Sequence, residues 1–547
     1  MEFPDGGSKD TERRLRISAG FPLLAAAAVL LPLSNGRWII PLATWVVPVV
    51  LVRYLRTSPK LWRGVLAVYL VLFVTTPVTW LGLWPFPPPV IAKIAAVGAV
   101  YSLVPYLLDR FSETRIQGAV QTLVFPCSAV AVEFLASLRS ETSWGNLAYT
   151  QADNLPLLQL ASIAGVWGIT FVMLWLAPVL NNLWRSGWSD RRARTGVVVY
   201  GLVVAAVVLF GSWRLICCAP SGETFRAATV SPPEILDITS PEDLQLFQQI
   251  MMKQEVDEVP AATLRETFNS TYDRLFDDTR REAQAGAELV VWPEASLISF
   301  DDEQDAALIE RAKRLASEEG VYLGVTIALI PVDSEKLNEN RLLLISPSGE
   351  VLQTYWKHHT VPVVEQPYAI GGSRTPAVHQ TSFATIGGVI CYDMDSPRYL
   401  RHAGREKVDV LVAPSGDWPA IKQLHPRMAV LRAVEQGFSL VRPANHGLTV
   451  AVDYQGRILG RLDHYTTSDR RMSVQVPKRG TTTVYARTGD LLPWACLALT
   501  VISLVLSVRS RSSGHSTVLR WSNPDPRAAQ SETHSTSRLA QRSSDPM

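Results

Sequence analysis

Glu294, Lys357 and Cys391 are the residues whose types could do chemistry together. A cysteine attacks as thiolate, yet an unperturbed thiol with a pKa near ~8.5 is mostly protonated at neutrality. A carboxylate in reach takes that proton and later returns it to a leaving group, while an ammonium favours the anionic sulfur and the oxyanion of a tetrahedral intermediate. The backbone amide after the cysteine, that of Tyr392, is a candidate second oxyanion donor. Such a set suffices for acyl transfer without histidine, metal or cofactor. Each residue also has a plainer reading: a solvated turn carboxylate after Trp292-Pro293, an exposed cation, a small buried hydrophobe. Cys-His chemistry through His358, His359, His425 or His446 is a competing arrangement, and no Cys/His spacing typical of a metal site is present.

The three residues stand where apolar runs end. Residues 289 to 292 lead into Pro293-Glu294, residues 341 to 355 into Lys357, and residues 386 to 390 into Cys391. In open α/β sheets the useful groups gather at strand ends, so residues distant in sequence are expected to converge there. The strands expected are 288 to 292, 321 to 327, 386 to 390 and 408 to 412, with helical periodicity over 261 to 285, 303 to 319 and 424 to 437. Ser346-Pro347-Ser348-Gly349 and Asp453-Tyr454-Gln455-Gly456 are hairpin signals.

The rest of the chain is of another kind. Of 547 residues only 19% are charged and 47% are apolar, the net charge is +2 and the mean hydropathy is +0.12. That balance excludes a disordered chain and gives no basic field for nucleic acid, while five cysteines are too few for a disulfide scaffold. Apolar stretches cover 17 to 34, 38 to 55, 62 to 83, 89 to 108, 116 to 137, 157 to 183, 196 to 217 and 491 to 508. Each is near the roughly 20 residues that cross a bilayer core of about 30 Å. Lys and Arg collect in alternate connections: Lys9 to Arg16, Arg53 to Arg63, Arg110 with Arg115, and Arg185 to Arg194. Cytoplasmic loops retain positive charge, so the expected order is a cytoplasmic N-terminus (1–16), a seven-span domain (17–218), an extracytoplasmic domain (219–487), an eighth span (491–508) and a disordered cytoplasmic tail (509–547).

At this point a family resemblance is carried by specific residues. Trp292-Pro293-Glu294, Tyr355-Trp356-Lys357 with Val361-Pro362 and Glu365, and Cys391-Tyr392 resemble the carbon-nitrogen hydrolase (nitrilase) domain. Seven spans before it and one after resemble the apolipoprotein N-acyltransferase branch, as do Ser143 to Gln151, Pro156 to Gln159, Gly165, Gly168, Phe171, Asn340, Arg432-Ala433 with Glu435, Arg442, Asn445, Gly447 and Gly489-Asp490. The resemblance implies a polytopic α-helical membrane domain joined to an α/β nitrilase-like α-β-β-α sandwich, in a bacterial cytoplasmic membrane. It implies a ping-pong reaction in which Cys391 takes an sn-1 acyl chain from a phospholipid and passes it to the α-amino group of a diacylglyceryl-cysteine at the start of a lipoprotein. Glu294 is then the base, Lys357 the stabiliser of thiolate and oxyanion, and Glu365 the second glutamate that positions them. Tyr392, Asp393, Asn340 and Trp418 are the expected supporting residues. A monomer is expected, with phospholipid, lipoprotein and bilayer as its partners.

Three local features depart from the family pattern. Asp393 replaces the usual Glu two residues after the nucleophile, Val363-Val364 replaces Phe-Gly before the second glutamate, and Ser415-Gly416-Asp417-Trp418 replaces Asn-Asp-x-Trp. Loss of glycine at 364 is expected to stiffen a loop that admits lipid. The alternatives are a membrane-anchored amidase using the same triad with water as acceptor, and a catalytically weakened lipid-binding homologue; a single span would suffice to anchor an amidase.

Overall fold

The computed structural model describes residues 7–84, 86–116, 118–220, 222–232, 241–255, 258–333 and 335–512. The tail expected to be disordered lies, from 513 onward, outside the described residues.

Among the described residues eight helices occupy the positions of the expected spans: Gly7–Ser34, Pro41–Thr57, Leu61–Thr79, Pro88–Ser112, Gln121–Ser140, Ala161–Ser186, Arg191–Cys217 and, near the end, Leu491–Ser512. Six of them are long and apolar enough to cross a membrane. The second is shorter at 17 residues, and the first contributes a shorter apolar stretch, Gly20–Ser34. The outer helices turn large apolar side chains outward, Leu202, Leu209 and Ile216 on one and Val501, Leu506 and Val508 on another. Surface of that extent is stable against lipid rather than water. Ala161–Ser186 runs through the middle of the bundle, with most of its side chains buried. Where their helices end, Arg56 and Asp109 are paired at 2.7 Å and joined by Asn182 and Gln121, so both buried charges have partners.

Among the described residues fifteen strands lie between the helices Arg191–Cys217 and Leu491–Ser512. They are β1 (Thr224–Val230), β2 (Leu289–Val291), β3 (Leu297–Ser299), β4 (Tyr322–Leu329), β5 (Glu339–Ile345), β6 (Val351–Trp356), β7 (Ala377–Gln380) and β8 (Thr385–Gly388). The remainder are β9 (Val410–Val412), β10 (Ser415–Gly416), β11 (Ser439–Arg442), β12 (Ala444–Asn445), β13 (Leu448–Val452), β14 (Ile458–Asp463) and β15 (Arg471–Pro477). One sheet has the order β15-β1-β2-β4-β5-β6 with β3 beside β4; the other has the order β14-β13-β11-β9-β8-β7. Each is parallel at its centre, β1-β2-β4 and β8-β9-β11, and antiparallel at its edges.

Alternation along the strands builds the layers. Leu289 and Val291 pack with Ile386, Val410 and Val412 of the opposite sheet, while Val290 packs beneath the helices Glu258–Gln284 and Asp302–Glu319. Helices Pro397–Arg405 and Leu424–Gln436 cover the other sheet, giving an α-β-β-α sandwich. The helix Leu424–Gln436 in turn lies against Ala161–Ser186, so one outer layer of the sandwich is also its contact with the membrane bundle.

Candidate active site

Parallel strands side by side deliver their C-terminal ends to one edge, and the three chemically apt residues meet there. Glu294 follows β2 and is 8% exposed; Lys357 follows β6 and is 3% exposed; Cys391 follows β8 and is 5% exposed. Lys357 Nζ donates to Glu294 Oε1 at 2.8 Å and to Glu365 Oε1 at 2.7 Å. Asn340 Nδ2 donates to the same Glu294 oxygen at 2.8 Å, and the amide of Gly416 donates to Glu294 Oε2 at 2.7 Å. Glu365 Oε2 accepts the amide of Val361 at 2.9 Å, which fixes the turn that carries it.

Cys391 opens a short 3₁₀ turn, Cys391–Asp395, in the left-handed region at φ 49°. Its amide donates to the carbonyl of Pro414 at 2.8 Å, and its Sγ lies 3.6 Å from the carbonyl oxygen of Gly416. The peptide units of Gly416 therefore touch both the thiol and Glu294. A Cβ at that position would sit 3.2 Å from Glu294 Oε2. Burial and the Glu294 carboxylate push the Cys391 thiol well above the ordinary thiol range, against the pull of Lys357. Burial alone would lower the Lys357 ammonium, but Glu294 and Glu365 outweigh it and hold it well above its usual value.

Asp393 is fully buried and does not face the thiol. Its Oδ1 accepts the His359 amide at 2.7 Å and faces His359 Nδ1 at 2.9 Å, while its Oδ2 accepts from the Tyr355 hydroxyl at 2.7 Å and the Ile390 amide at 3.1 Å. It thus ties the backbone just before Cys391 to the backbone two residues after Lys357. Tyr392 is half-buried on the cavity wall, where its hydroxyl meets Thr142. Trp418 lines the same cavity and donates from Nε1 to the carbonyl of Gly82 at 2.8 Å, in a connection of the membrane bundle. Among the competing histidines, His359 is held by Asp393, His425 by Asp417 at 2.7 Å, and His358 lies flat on Tyr399.

Sequence reasoning missed the Gly416 peptide, the Tyr355-Tyr399 pair behind Asp393, and the buried group of Asp395, His425, Asp417 and Arg442 beneath Trp418. Burial alone would lower His425; the Asp395 and Asp417 carboxylates prevail, and its pKa is pushed up to about 9. It also missed the walls of the site: a cavity of about 960 Å³ that extends past Cys391, with Leu83, Trp84, Phe86 and Trp144 from the membrane bundle and Phe247 and Ile330 from the sandwich. Several of these residues stood in stretches the sequence singled out, Tyr355 in the Tyr355-Trp356-Lys357 motif, Gly416 and Asp417 in the departing stretch, Arg442 and Trp144 within the family resemblance and His425 among the competing histidines, but nothing local gave their roles.

Known proteins align with both halves of the chain. Residues 27–179 match the family described as apolipoprotein N-acyltransferase N-terminal domain, and residues 259–476 match carbon-nitrogen hydrolase. The apolipoprotein N-acyltransferase of Geobacter metallireducens is 29% identical over 452 residues, 78% of this chain and 81% of that protein. The apolipoprotein N-acyltransferase of Rhodopseudomonas palustris is 25% identical over 456 residues, 78% of this chain and 80% of its own. An amidase from a Nesterenkonia species overlays 49% of this chain and 94% of its own at 20% identity, with a TM-score of 0.36. The membrane bundle matches one of these family models and the sandwich the other, and the curated relatives run across both, so this chain is similar over most of its length to the apolipoprotein N-acyltransferases.

Proposed function

We propose that the chain is a membrane acyltransferase that moves an acyl group from a phospholipid through a thioester on Cys391 to the α-amino group of the N-terminal diacylglyceryl-cysteine of lipoproteins. The observation that carries this reading is the junction of Glu294, Lys357 and Cys391 with an apolar cavity whose wall is partly the membrane bundle itself. A small water-soluble amide needs no such wall.

In the first half-reaction Cys391 waits as a thiol, because its pKa lies above the ordinary range. Glu294 takes its proton as sulfur attacks the ester carbonyl. The C–S bond forms, the ester C–O bond breaks, and the proton passes from Glu294 to the departing lysophospholipid oxygen. In the second, the lipoprotein amine attacks the thioester, the C–N bond forms and the C–S bond breaks, and Glu294 carries the amine proton to the sulfur. Lys357, held by two carboxylates, keeps its positive charge throughout and with the Tyr392 amide faces the oxyanion of each tetrahedral intermediate. Glu365 and Asn340 position Lys357 and Glu294, and one chain supplies every group named.

The alternation of basic connections supports a cytoplasmic N-terminus, and seven crossings from there would put the sandwich on the extracytoplasmic side of a bacterial membrane, the side on which this reading needs the lipoprotein acceptor. Mass spectrometry of a lipoprotein N-terminus from cells with the chain, without it, and with Cys391→Ala tests the reading. The acyl mass is expected only with the intact chain, and N-acylation that persists with Cys391→Ala overturns it.

A further inference from the structure

Away from the transfer chemistry, three side chains converge where the membrane bundle meets the sandwich. Glu141 caps the helix Gln121–Ser140 in the left-handed region at φ 61°, and its side chain is 70% exposed. His358 and His359 follow Lys357 directly. One oxygen or ring nitrogen of each residue lies within 4.8 Å of those of the other two, and His359 Nε2 stands 3.7 Å from Glu141 Oε2.

The surroundings prepare these atoms for a cation. Asp393 Oδ1 already accepts the His359 amide and as a carboxylate has no hydrogen to give, so His359 Nδ1 carries the hydrogen of their 2.9 Å contact. The lone pair of neutral His359 is thereby left on Nε2, the atom that faces Glu141. A buried carboxylate behind the imidazole is the support that orients metal-ligating histidines. His358 is fixed as well: its ring lies on Tyr399 with centroids 4.7 Å apart and planes 1° apart, and it hydrogen-bonds the backbone of Gly372. Two bonds of about 2.1 Å span at most ~4.2 Å, so atoms within 4.8 Å of one another need draw in by only a fraction of an ångström or more to share one ion, and the exposed Glu141 side chain is free to turn toward the two imidazoles.

We propose that Glu141, His358 and His359 form a binding site for a divalent transition cation of the zinc type. Two imidazoles and one carboxylate suit such an ion better than magnesium or calcium, and a solvent molecule completes its shell. The bound ion ties the end of a membrane helix to the segment just after Lys357. Both edges of that tie, Ser140 with Thr142 and Thr360 with Val361, line the cavity, so occupancy braces its mouth. This inference stands on the side-chain geometry alone and is independent of which acyl donor or acceptor the enzyme uses.

The test uses the full-length chain without a histidine tag, in lipid nanodiscs, with Cys391→Ala to remove the thiol as a competing ligand. Zinc titrated by calorimetry is expected to saturate one site per chain, and Glu141→Gln and His358→Gln are each expected to weaken binding by about tenfold or more. Cobalt in the same site is expected to give visible d–d bands without sulfur charge transfer. Unchanged elution and thermal midpoints of the variants show that they fold. No saturable zinc binding, or equal binding by the Glu141→Gln, His358→Gln double variant, overturns the proposal.

Discussion

Asp393 shows how a single methylene is accommodated. The family position holds Glu, and a shorter side chain that simply failed to reach would leave its former partners unpaired. Instead the carboxylate accepts from Tyr355 and from the amides of Ile390 and His359, at 0% exposure. The site has closed around aspartate. Restoring the longer side chain then overfills a packed shell, at a cost of about 1–3 kcal/mol, and moves the backbone on either side of Cys391 and Lys357. Asp393→Glu is therefore expected to slow thioester formation on Cys391 by roughly tenfold, taking ~1.4 kcal/mol of that cost into the barrier. Asp393→Ala is expected to be worse, because it leaves a buried hydroxyl and two amides without their acceptor. Single-turnover acylation with phospholipid and no lipoprotein measures both, and a faster Asp393→Glu variant would mean that the loop has not been rebuilt.

At the scale of elements, the parts that could be read from sequence were those with a local pattern. The runs before Glu294 and Cys391 became β2 and β8, and both hairpin signals join paired strands, β5 to β6 and β13 to β14. Contacts such as Gly416 with Glu294 link residues 122 positions apart and leave no local trace. The loop before Glu365 shows a finer limit. Comparison with the family pattern put the missing glycine at 364, but the positive φ belongs to Val363, at 69°, and Val364 has none. The left-handed conformation therefore falls on Val363, one residue before the position where loss of glycine was expected to stiffen the loop. A β-branched residue in the left-handed region costs about 1–2 kcal/mol, whereas glycine in an ordinary conformation costs roughly 0.5–1 kcal/mol in lost chain entropy. Val363→Gly is accordingly expected to hold or raise the thermal midpoint and Val364→Gly to lower it. The reverse order in a melting experiment would return the strain to 364.

The whole molecule depends on how its two halves are joined, and the joint is built around a break in a membrane helix. Gly165, at φ 63° and ψ −167°, interrupts Ala161–Ser186 and frees the Val166 amide, which donates to Glu435 Oε1 at 2.7 Å. Glu435 is paired with Arg432, both fully buried in the sandwich, and Arg432 lies over the ring of Tyr149. One residue further, Trp167 Nε1 donates to Asp490, which also accepts from Tyr485 at 2.8 Å just before the last span. The kink thus presents one amide to the sandwich and one indole to the final helix, and it holds the bundle and the sandwich around their shared cavity. A Cβ at 165 would lie 2.6 Å from the Tyr485 ring and would have to adopt the left-handed conformation, so neither the backbone nor the aromatic can stay in place. Gly201 is the control: it lies in the helix Arg191–Cys217, and a Cβ there meets nothing within 4 Å. Gly165→Ala is expected to lower the thermal midpoint in detergent and to reduce lipoprotein acylation by about tenfold or more, as one kcal/mol-scale strain at the joint displaces the cavity wall. Gly201→Ala is expected to leave both unchanged, since a lipid-facing methyl adds helix propensity and no contact. If the two variants behave alike, the break at Gly165 is not what couples the membrane bundle to the catalytic sandwich.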